Sequence, residues 1–214
     1  MLVKDIMQHD VACARPETPL QEVLRLLQHR GVRHLPVLDH EELVGIISDR
    51  DLKSVLPGLI APSTSPGQAA WDGLTAGDIM TKRVLTVEPM ALVEDAARLL
   101  VEERIGALPV TDRGTLVGII TETDILLLFV RAMGILDPSS RLDVLLPDAP
   151  ACLGRMVHTI ESAGAAVSSI VTLANTSLRL REAVVCVATM NPGPVIKALE
   201  AGGYALRSPK RLGR

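Results

Sequence analysis

Hydrophobic residues recur at helical spacing twice within the first hundred positions of the chain. The first run comprises Leu20, Val23, Leu24 and Leu27, and the second comprises Val93, Ala96, Ala97 and Leu100. Both follow the spacing i, i+3, i+4, i+7, which predicts an amphipathic helix in each. Each run is followed by two short apolar segments, at 35–38 and 43–47 and again at 108–110 and 116–120. Such segments are typical of strands, so each half predicts a helix followed by two strands.

The two halves are copies of one unit. Asp5-Ile6-Met7 recurs as Asp78-Ile79-Met80, an offset of 73 positions. The same offset relates the apolar segments of the two halves, and it relates Asp51 to Asp124, without a gap. A single unit has too few strands to bury both faces of its sheet, whereas two units packed together can bury them. We therefore predict a pseudo-twofold pair, with the methionine of each Asp-Ile-Met triplet packed at the interface.

The last third of the chain has a different order of elements. The pattern predicts a strand at 142–146, a helix at 153–160, strands at 167–173 and 183–190, a helix at 194–201 and a final strand at 204–206. Gly202-Gly203 is a typical helix stop. The order βαββαβ is that of the ferredoxin-like fold, so the predicted fold class is α+β.

Composition and charge narrow the possible functions. The 214 residues are 48% hydrophobic and 22% charged, with a net charge of −3 and only three aromatic residues. Such a chain lacks both the basic face and the stacking rings of a nucleic-acid-binding protein. The longest apolar run, at 125–130, is too short to span a bilayer, and no signal-peptide core follows Met1. We expect a cytoplasmic protein without nucleic-acid or membrane partners. The cysteine and histidine spacing indicates no metal site.

A polar motif stands at the predicted start of the second helix in both copies. Ser48 and Asp51 are three positions apart, and so are Thr121 and Asp124. A hydroxyl and a carboxylate at this spacing are the signature of a helix-capping box, in which the cap is worth about 1 kcal/mol. The same groups can instead hold a ligand, because a hydroxyl at a helix start lies beside unpaired backbone N–H groups that favour anions. The two interpretations are compatible, and the sequence leaves both open.

These motifs together resemble the cystathionine-β-synthase (CBS) domain. The residues that carry the resemblance are Asp-Ile-Met, Leu-Pro-Val and Gly-Ile-Ile-(Ser/Thr)-x-x-Asp, each present twice. The last third resembles an ACT domain, and the combination is similar to the acetoin-utilisation protein B (AcuB) type. The implied domains are CBS domain 1 at 1–58, a linker at 59–73, CBS domain 2 at 74–134, a linker at 135–140, an ACT-like domain at 141–208 and a tail at 209–214.

The resemblance to CBS pairs implies a nucleotide ligand in a cleft between the two modules. The ligand implied is AMP, ADP or ATP, with S-adenosylmethionine as a further possibility. The motif of the family supplies the hydroxyl and carboxylate that hold the ribose and nearby phosphate. Carried over to this chain, these residues are Ser48 and Asp51 in the first copy and Thr121 and Asp124 in the second.

Basic residues distinguish the two copies. Arg33, His34 and Arg50 are cations that could meet phosphate groups, while Gly106-Ala107 and Thr123 stand at the matching positions of the second copy. We therefore expect one competent nucleotide site and a second that is weak or empty. The alternative for Arg33 and His34 is a solvated strand edge. The sequence leaves open which ribose motif the cations serve.

The resemblance to ACT domains implies a homodimer and an effector site near the first turn between strand and helix. The corresponding turn is Asp148-Ala149-Pro150-Ala151-Cys152-Leu153, where Ala151 replaces the glycine of the family. A methyl group at this point crowds the approach of a ligand to the backbone. Dimerisation is therefore the expected role. The residues that the resemblance implies for an effector are Asp148, Ala151, Cys152 and Leu153.

The sequence favours a regulatory protein over an enzyme. It contains no GxSxG turn, HExxH, P-loop or GxGxxG turn. We predict a nucleotide-responsive regulator that signals through its ACT domain to an unidentified protein partner, in acetoin or related carbon metabolism. The alternative is a structural adaptor without a ligand, or a regulatory subunit of a metabolic enzyme.

Overall fold

The computed structural model describes residues 1–55, 73–134, 138–147, 149–175 and 180–207. Contacts between residues divide the chain into two compact units, Met1–Leu126 and Leu127–Arg214. Several predicted features lie outside the described residues. They are the linker at 59–73 except Gly73, residues 135–137 of the second linker, Asp148, the turn after Asn175 and the tail at 209–214.

The first unit contains the two copies of the repeat, each with the predicted helices and strands. The first copy has a 3₁₀ helix (Val3–Asp5), α1 (Leu20–Arg30), β1 (His34–Asp39), β2 (Glu42–Ser48) and α2 (Asp49–Val55). The second copy has α3 (Ala76–Ile79), α4 (Val93–Glu103), β3 (Ala107–Asp112), β4 (Thr115–Thr121) and α5 (Glu122–Ala132), which runs into the second unit. The helical spacing of the hydrophobic residues arises because α1 and α4 each bury one face against their sheet, through Val23 and Leu27 in α1 and Ala96 and Leu100 in α4.

The two copies share one sheet and are related by the predicted pseudo-twofold arrangement. The strand order is β1-β2-β4-β3, and every neighbouring pair is antiparallel. The two hairpins meet where Glu42 pairs with Thr115. Within the hairpins the registers are equivalent, since Leu35 pairs with Ile47 and Leu108 pairs with Ile120.

Each copy places its first turn in the core of the other. Val3 and Met7, which are 0% and 8% exposed, pack in the core of the second copy, and Ala76 packs in the core of the first. A Cβ atom built on Gly118 would lie 2.6 Å from Sδ of Met7, so only glycine lets this methionine lie on β4. The prediction that Met7 packs at the interface is confirmed. The ends of the two copies are therefore interlocked rather than merely in contact.

The second unit has the predicted βαββαβ order. Its elements are β5 (Ser140–Pro147), α6 (Cys152–Ser162), β6 (Val167–Asn175), β7 (Leu180–Val187), α7 (Gly193–Ala201) and β8 (Ala205–Arg207). The antiparallel sheet has the order β6-β7-β5-β8, as in ferredoxin-like folds. The strand predicted at 183–190 ends earlier, at Val187. The chain turns there towards α7, and the backbone N–H of Asn191 donates to Oγ1 of Thr189 at 3.1 Å.

Candidate functional site

Two clefts open in the first unit, and each is lined by both copies of the repeat. The Asp51 cleft, with a volume of about 500 Å³, combines Ser48 and Asp51 of the first copy with Thr81, Arg83, Val84, Leu85 and residues 103–107 of the second. The Asp124 cleft, with a volume of about 640 Å³, combines Thr121 and Asp124 of the second copy with Gln8, residues 10–12 and residues 29–34 of the first. The 73-residue offset relates the two linings, so the clefts are pseudo-equivalent.

The Ser/Thr-x-x-Asp motifs form capping boxes at the walls of these clefts. Oδ2 of Asp51 accepts hydrogen bonds from the backbone N–H and the hydroxyl of Ser48, both at 2.7 Å. The backbone N–H of Asp51 donates in turn to Oγ of Ser48 at 3.3 Å. Thr121 and Asp124 repeat this pattern at 2.8, 2.7 and 3.3 Å. The capping interpretation is therefore confirmed, and each carboxylate keeps its Oδ1 atom for another partner.

The second oxygen of the carboxylate differs between the two clefts. Oδ1 of Asp124 accepts a hydrogen bond from Nε2 of Gln8 at 3.0 Å, across the boundary between the copies. In the part of the chain that the structure describes, Oδ1 of Asp51 accepts none. Thr81 stands at the position that matches Gln8, and its short side chain is not bonded to Asp51 in the same way. A ligand at Asp124 must displace Gln8, whereas a ligand at Asp51 has no such competitor.

Arg33 and His34 lie between the clefts and line both of them. Arg33 is exposed, and its Nη2 donates to Oγ1 of Thr123 at 3.1 Å. His34 is half-buried, and its Nε2 would lie 2.8 Å from a Cβ atom built on Gly106. Burial lowers the pKa of His34, and the nearby positive charge of Arg33 lowers that pKa further. Both effects favour the neutral form of this imidazole.

Further basic residues line the Asp51 cleft, and sequence analysis missed most of them. Arg50 lies there as its place in the motif suggests, together with Lys53, Arg83 and Arg104. Arg83 and Arg104 belong to the second copy, at the positions that match Asp10 and Gly31 of the first. Comparing the copies over their full length would have shown these differences. The cations are therefore supplied by both copies, and not by the first copy alone.

The turn between β5 and α6 borders a small cavity of about 350 Å³ in the second unit. Asp148 lies outside the described residues. Ala151 is exposed and has a φ of 61°, in the left-handed region that favours glycine. Cys152 is buried at 5% exposure, and Leu153 is 41% exposed. Three of the four residues proposed to bind an effector, Ala151, Cys152 and Leu153, thus line one cavity. The strained backbone position is that of Ala151.

Two kinds of feature are absent from the described ranges. No group of three or more His, Cys, Asp or Glu residues there could hold a metal ion. No described helix has the length and apolar character needed to cross a membrane.

Comparison with known proteins gives a match to the sequence model of one family, the CBS domain, at residues 3–58 and again at residues 76–131. Among solved structures, the CBS domain pair of protein MJ0100 in complex with 5′-methylthioadenosine and S-adenosyl-L-methionine is 31% identical. That match covers 60% of this chain and 95% of that chain, with a TM-score of 0.52.

Two further solved structures extend the comparison. CBSX2 in complex with AMP is 31% identical, over 61% of this chain and 97% of that chain, with a TM-score of 0.53. A Vibrio cholerae protein described as a candidate acetoin utilization protein (AcuB) is 26% identical. That match covers 65% of this chain and 98% of that chain, with a TM-score of 0.54. The second of the two matches to the CBS family model ends at residue 131.

Proposed function

The chain belongs to the CBS domain family, and from this premise we propose that it is a regulatory protein that binds an adenine nucleotide in the clefts of its CBS pair. The ligand is AMP, ADP or ATP, with S-adenosylmethionine as a further candidate. Two relatives with this domain pair support the proposal, because one was solved with AMP and the other with S-adenosylmethionine and 5′-methylthioadenosine.

The observation that carries the proposal is the position of Asp51 in the wall of its cleft. Its Oδ2 is fixed by Ser48, while its Oδ1 accepts no hydrogen bond from the described residues. A carboxylate oriented in this way accepts hydrogen bonds from the hydroxyl groups of a ribose. Both clefts also fall within the range of roughly 300–1,000 Å³ that is usual for small-molecule sites.

Other residues that line the Asp51 cleft are suited to contact the base and the phosphate groups of the nucleotide. Its apolar side chains are all aliphatic, namely those of Ile46, Val84, Leu85, Ile105 and Ala107. A purine base would therefore lie between aliphatic side chains rather than stack on an aromatic ring. The guanidinium groups of Arg50 and Arg104 supply the charge that phosphate groups require.

Signalling requires a second element that responds to the ligand, and we assign this role to the ACT-like second unit. Its βαββαβ order, which is that of the ferredoxin-like fold, supports this assignment. The unit would form a homodimer and pass the change to an unidentified protein partner, in acetoin or related carbon metabolism. A ligand can drive such a change only by binding one conformation more tightly than another. Light scattering after size exclusion should give twice the chain mass of 22.9 kDa.

Thermal unfolding in the presence of each nucleotide tests the proposal. A ligand at about 100 times its Kd stabilises the folded chain by roughly 2.7 kcal/mol, which raises the Tm by about 5–10 °C in a chain of this size. One of the two substitutions Asp51→Ala and Asp124→Ala, the one that removes the carboxylate holding the ribose, should largely remove that rise. If AMP, ADP, ATP and S-adenosylmethionine all leave the wild-type Tm unchanged, the proposal is wrong.

A second candidate function is a structural adaptor whose clefts stay empty. The observation that favours it is the internal satisfaction of the motifs, since Asp124 is bonded on both oxygens, by Thr121 and Gln8. Such an adaptor would show no rise in Tm with any of the four ligands. The thermal measurement therefore separates the two functions.

A further inference from the structure

The two clefts differ in their charged residues although their linings are pseudo-equivalent. We infer that the Asp51 cleft is the site for a nucleoside polyphosphate, ATP or ADP, and that the Asp124 cleft is not. This inference rests on the proposed function and specifies which cleft binds the more highly charged ligand. It follows from three features of the described residues: the balance of charge, the free guanidinium groups and the backbone of Arg104.

The first feature is the balance of charge in the two linings. The Asp51 cleft is lined by five basic and four acidic residues, counting arginine and lysine against aspartate and glutamate. The Asp124 cleft is lined by two of each. The lining of the Asp51 cleft is therefore more positive by one charge (5 − 4 against 2 − 2), and this difference favours the more highly charged ATP over AMP there.

The second feature is the number of guanidinium groups that are free to meet a phosphate. In the Asp124 cleft both are engaged, since Arg30 donates to Asp10 at 2.8 Å and Arg33 donates to Thr123 at 3.1 Å. In the Asp51 cleft the guanidinium groups of Arg50, Arg83 and Arg104 have no ion-pair or hydrogen-bond partner among the described residues. A phosphate chain can therefore bind these groups without breaking an existing bond.

The third feature is the backbone of Arg104, which ends α4 at the rim of the Asp51 cleft. Its φ is 56°, in the left-handed region that side chains rarely adopt, and the matching residue of the first copy is Gly31 with a φ of 63°. Glycine would relieve the strain at this position. Arg104 therefore holds a guanidinium that is unpaired within the described chain at the rim of the Asp51 cleft, where the first copy has a glycine without a side chain.

Isothermal titration calorimetry of the full chain with metal-free ATP and with AMP tests the inference. In the wild type, one site should bind ATP at least about tenfold more tightly than AMP. Asp51→Ala should weaken ATP binding at this site roughly 10- to 150-fold, while Asp124→Ala should leave it within about threefold of its wild-type affinity. Arg104→Gly should weaken ATP binding roughly tenfold through the loss of one charge-assisted contact and change AMP binding less than threefold. The same variant should unfold at an equal or higher temperature, because glycine relieves the strain.

The chain offers a matched control in Arg113, an exposed arginine with a φ of 51° that lines neither cleft. Arg113→Gly makes the same exchange and should leave the affinities for ATP and AMP unchanged. Three results would overturn the inference while nucleotide binding stands. The wild type could bind ATP and AMP with equal affinity, Asp124→Ala could lose the ATP site, or Arg104→Gly could leave the preference for ATP unaltered. If the wild type binds none of ATP, AMP, ADP and S-adenosylmethionine, the proposed function fails together with the inference.

Discussion

Replacing Asp51 with alanine separates the two roles available to its carboxylate, which are capping α2 and holding a ribose. A matched control exists within the chain. Oδ2 of Asp78 accepts hydrogen bonds from the backbone N–H and the hydroxyl of Thr75 at 2.8 and 2.9 Å, as Asp51 does from Ser48. Asp78 lines neither cleft. Asp78→Ala therefore removes a cap of the same kind without touching the proposed ligand site.

The expected magnitudes follow from the bonds that each substitution removes. Loss of the capping box in Asp51→Ala should lower the free energy of unfolding by about 0.5–2 kcal/mol without ligand. Loss of a hydrogen bond between the ribose and an ionised carboxylate should cost a further 1.5–3 kcal/mol of binding free energy, roughly a 10- to 150-fold rise in Kd. Asp78→Ala should also lower stability, but it should leave Kd unchanged.

Two assays read these effects separately. Urea denaturation without ligand gives the loss of stability in each variant, and isothermal titration calorimetry gives Kd for the nucleotide that the wild type binds. The two variants should be similar in the first assay and differ in the second. If Asp51→Ala bound the nucleotide as tightly as Asp78→Ala, the carboxylate of Asp51 would be a helix cap alone, and its assignment to the ribose would be refuted.

Three further substitutions have definite expected outcomes. Gln8→Ala frees Oδ1 of Asp124, because it removes one competing hydrogen bond. Nucleotide binding at the Asp124 cleft should therefore strengthen by roughly three- to tenfold in titration calorimetry. Weaker binding would mean that Gln8 itself contacts the ligand. Ala151→Gly should raise the free energy of unfolding by about 0.5–1 kcal/mol in urea denaturation. The reason is that relief of the left-handed backbone strain exceeds the entropy that glycine adds to the unfolded chain. An unchanged or lower free energy of unfolding would contradict this. Burial and the charge of Arg33 lower the pKa of His34 in the folded chain, so the unfolded chain takes up this proton first and stability falls as the pH drops below about 6.5. His34→Gln should lose less stability than the wild type between pH 7.5 and pH 5.5, and equal losses would show that His34 does not contribute.

Sequence analysis predicted the elements of the fold because their causes are local. The helical spacing around Val23 and Ala96 reflects one buried face in each helix, and the capping boxes depend on residues only three positions apart. The 73-residue repeat also predicted a pseudo-twofold pair of equivalent units. It did not predict that the first turn of each copy enters the other core, because neither Val3 nor Ala76 carries a local signal for that exchange.

The same exchange explains why the clefts were predicted only in part. The motif residues Asp51 and Asp124 could be identified within each copy. Their opposite walls come from the other copy, so the approach of Gln8 to Asp124 and of Arg104 to the Asp51 cleft depends on packing between copies. Propensity and periodicity contain no information on such contacts. The crossed arrangement also places Arg33 and His34 at both clefts, where sequence analysis could not assign them to one motif.

The central proposal, that the CBS pair binds an adenine nucleotide through its two motif carboxylates, can be tested by equilibrium dialysis of the full chain. The wild type and the double variant Asp51→Ala/Asp124→Ala, shown to be folded by circular dichroism, would be dialysed against AMP, ADP, ATP and S-adenosylmethionine up to millimolar concentration. We predict that the wild type retains at least one of these ligands to saturation and that the double variant retains far less of it at the same free concentration. Retention of no ligand by the wild type, or equal retention by both proteins, would contradict the proposal.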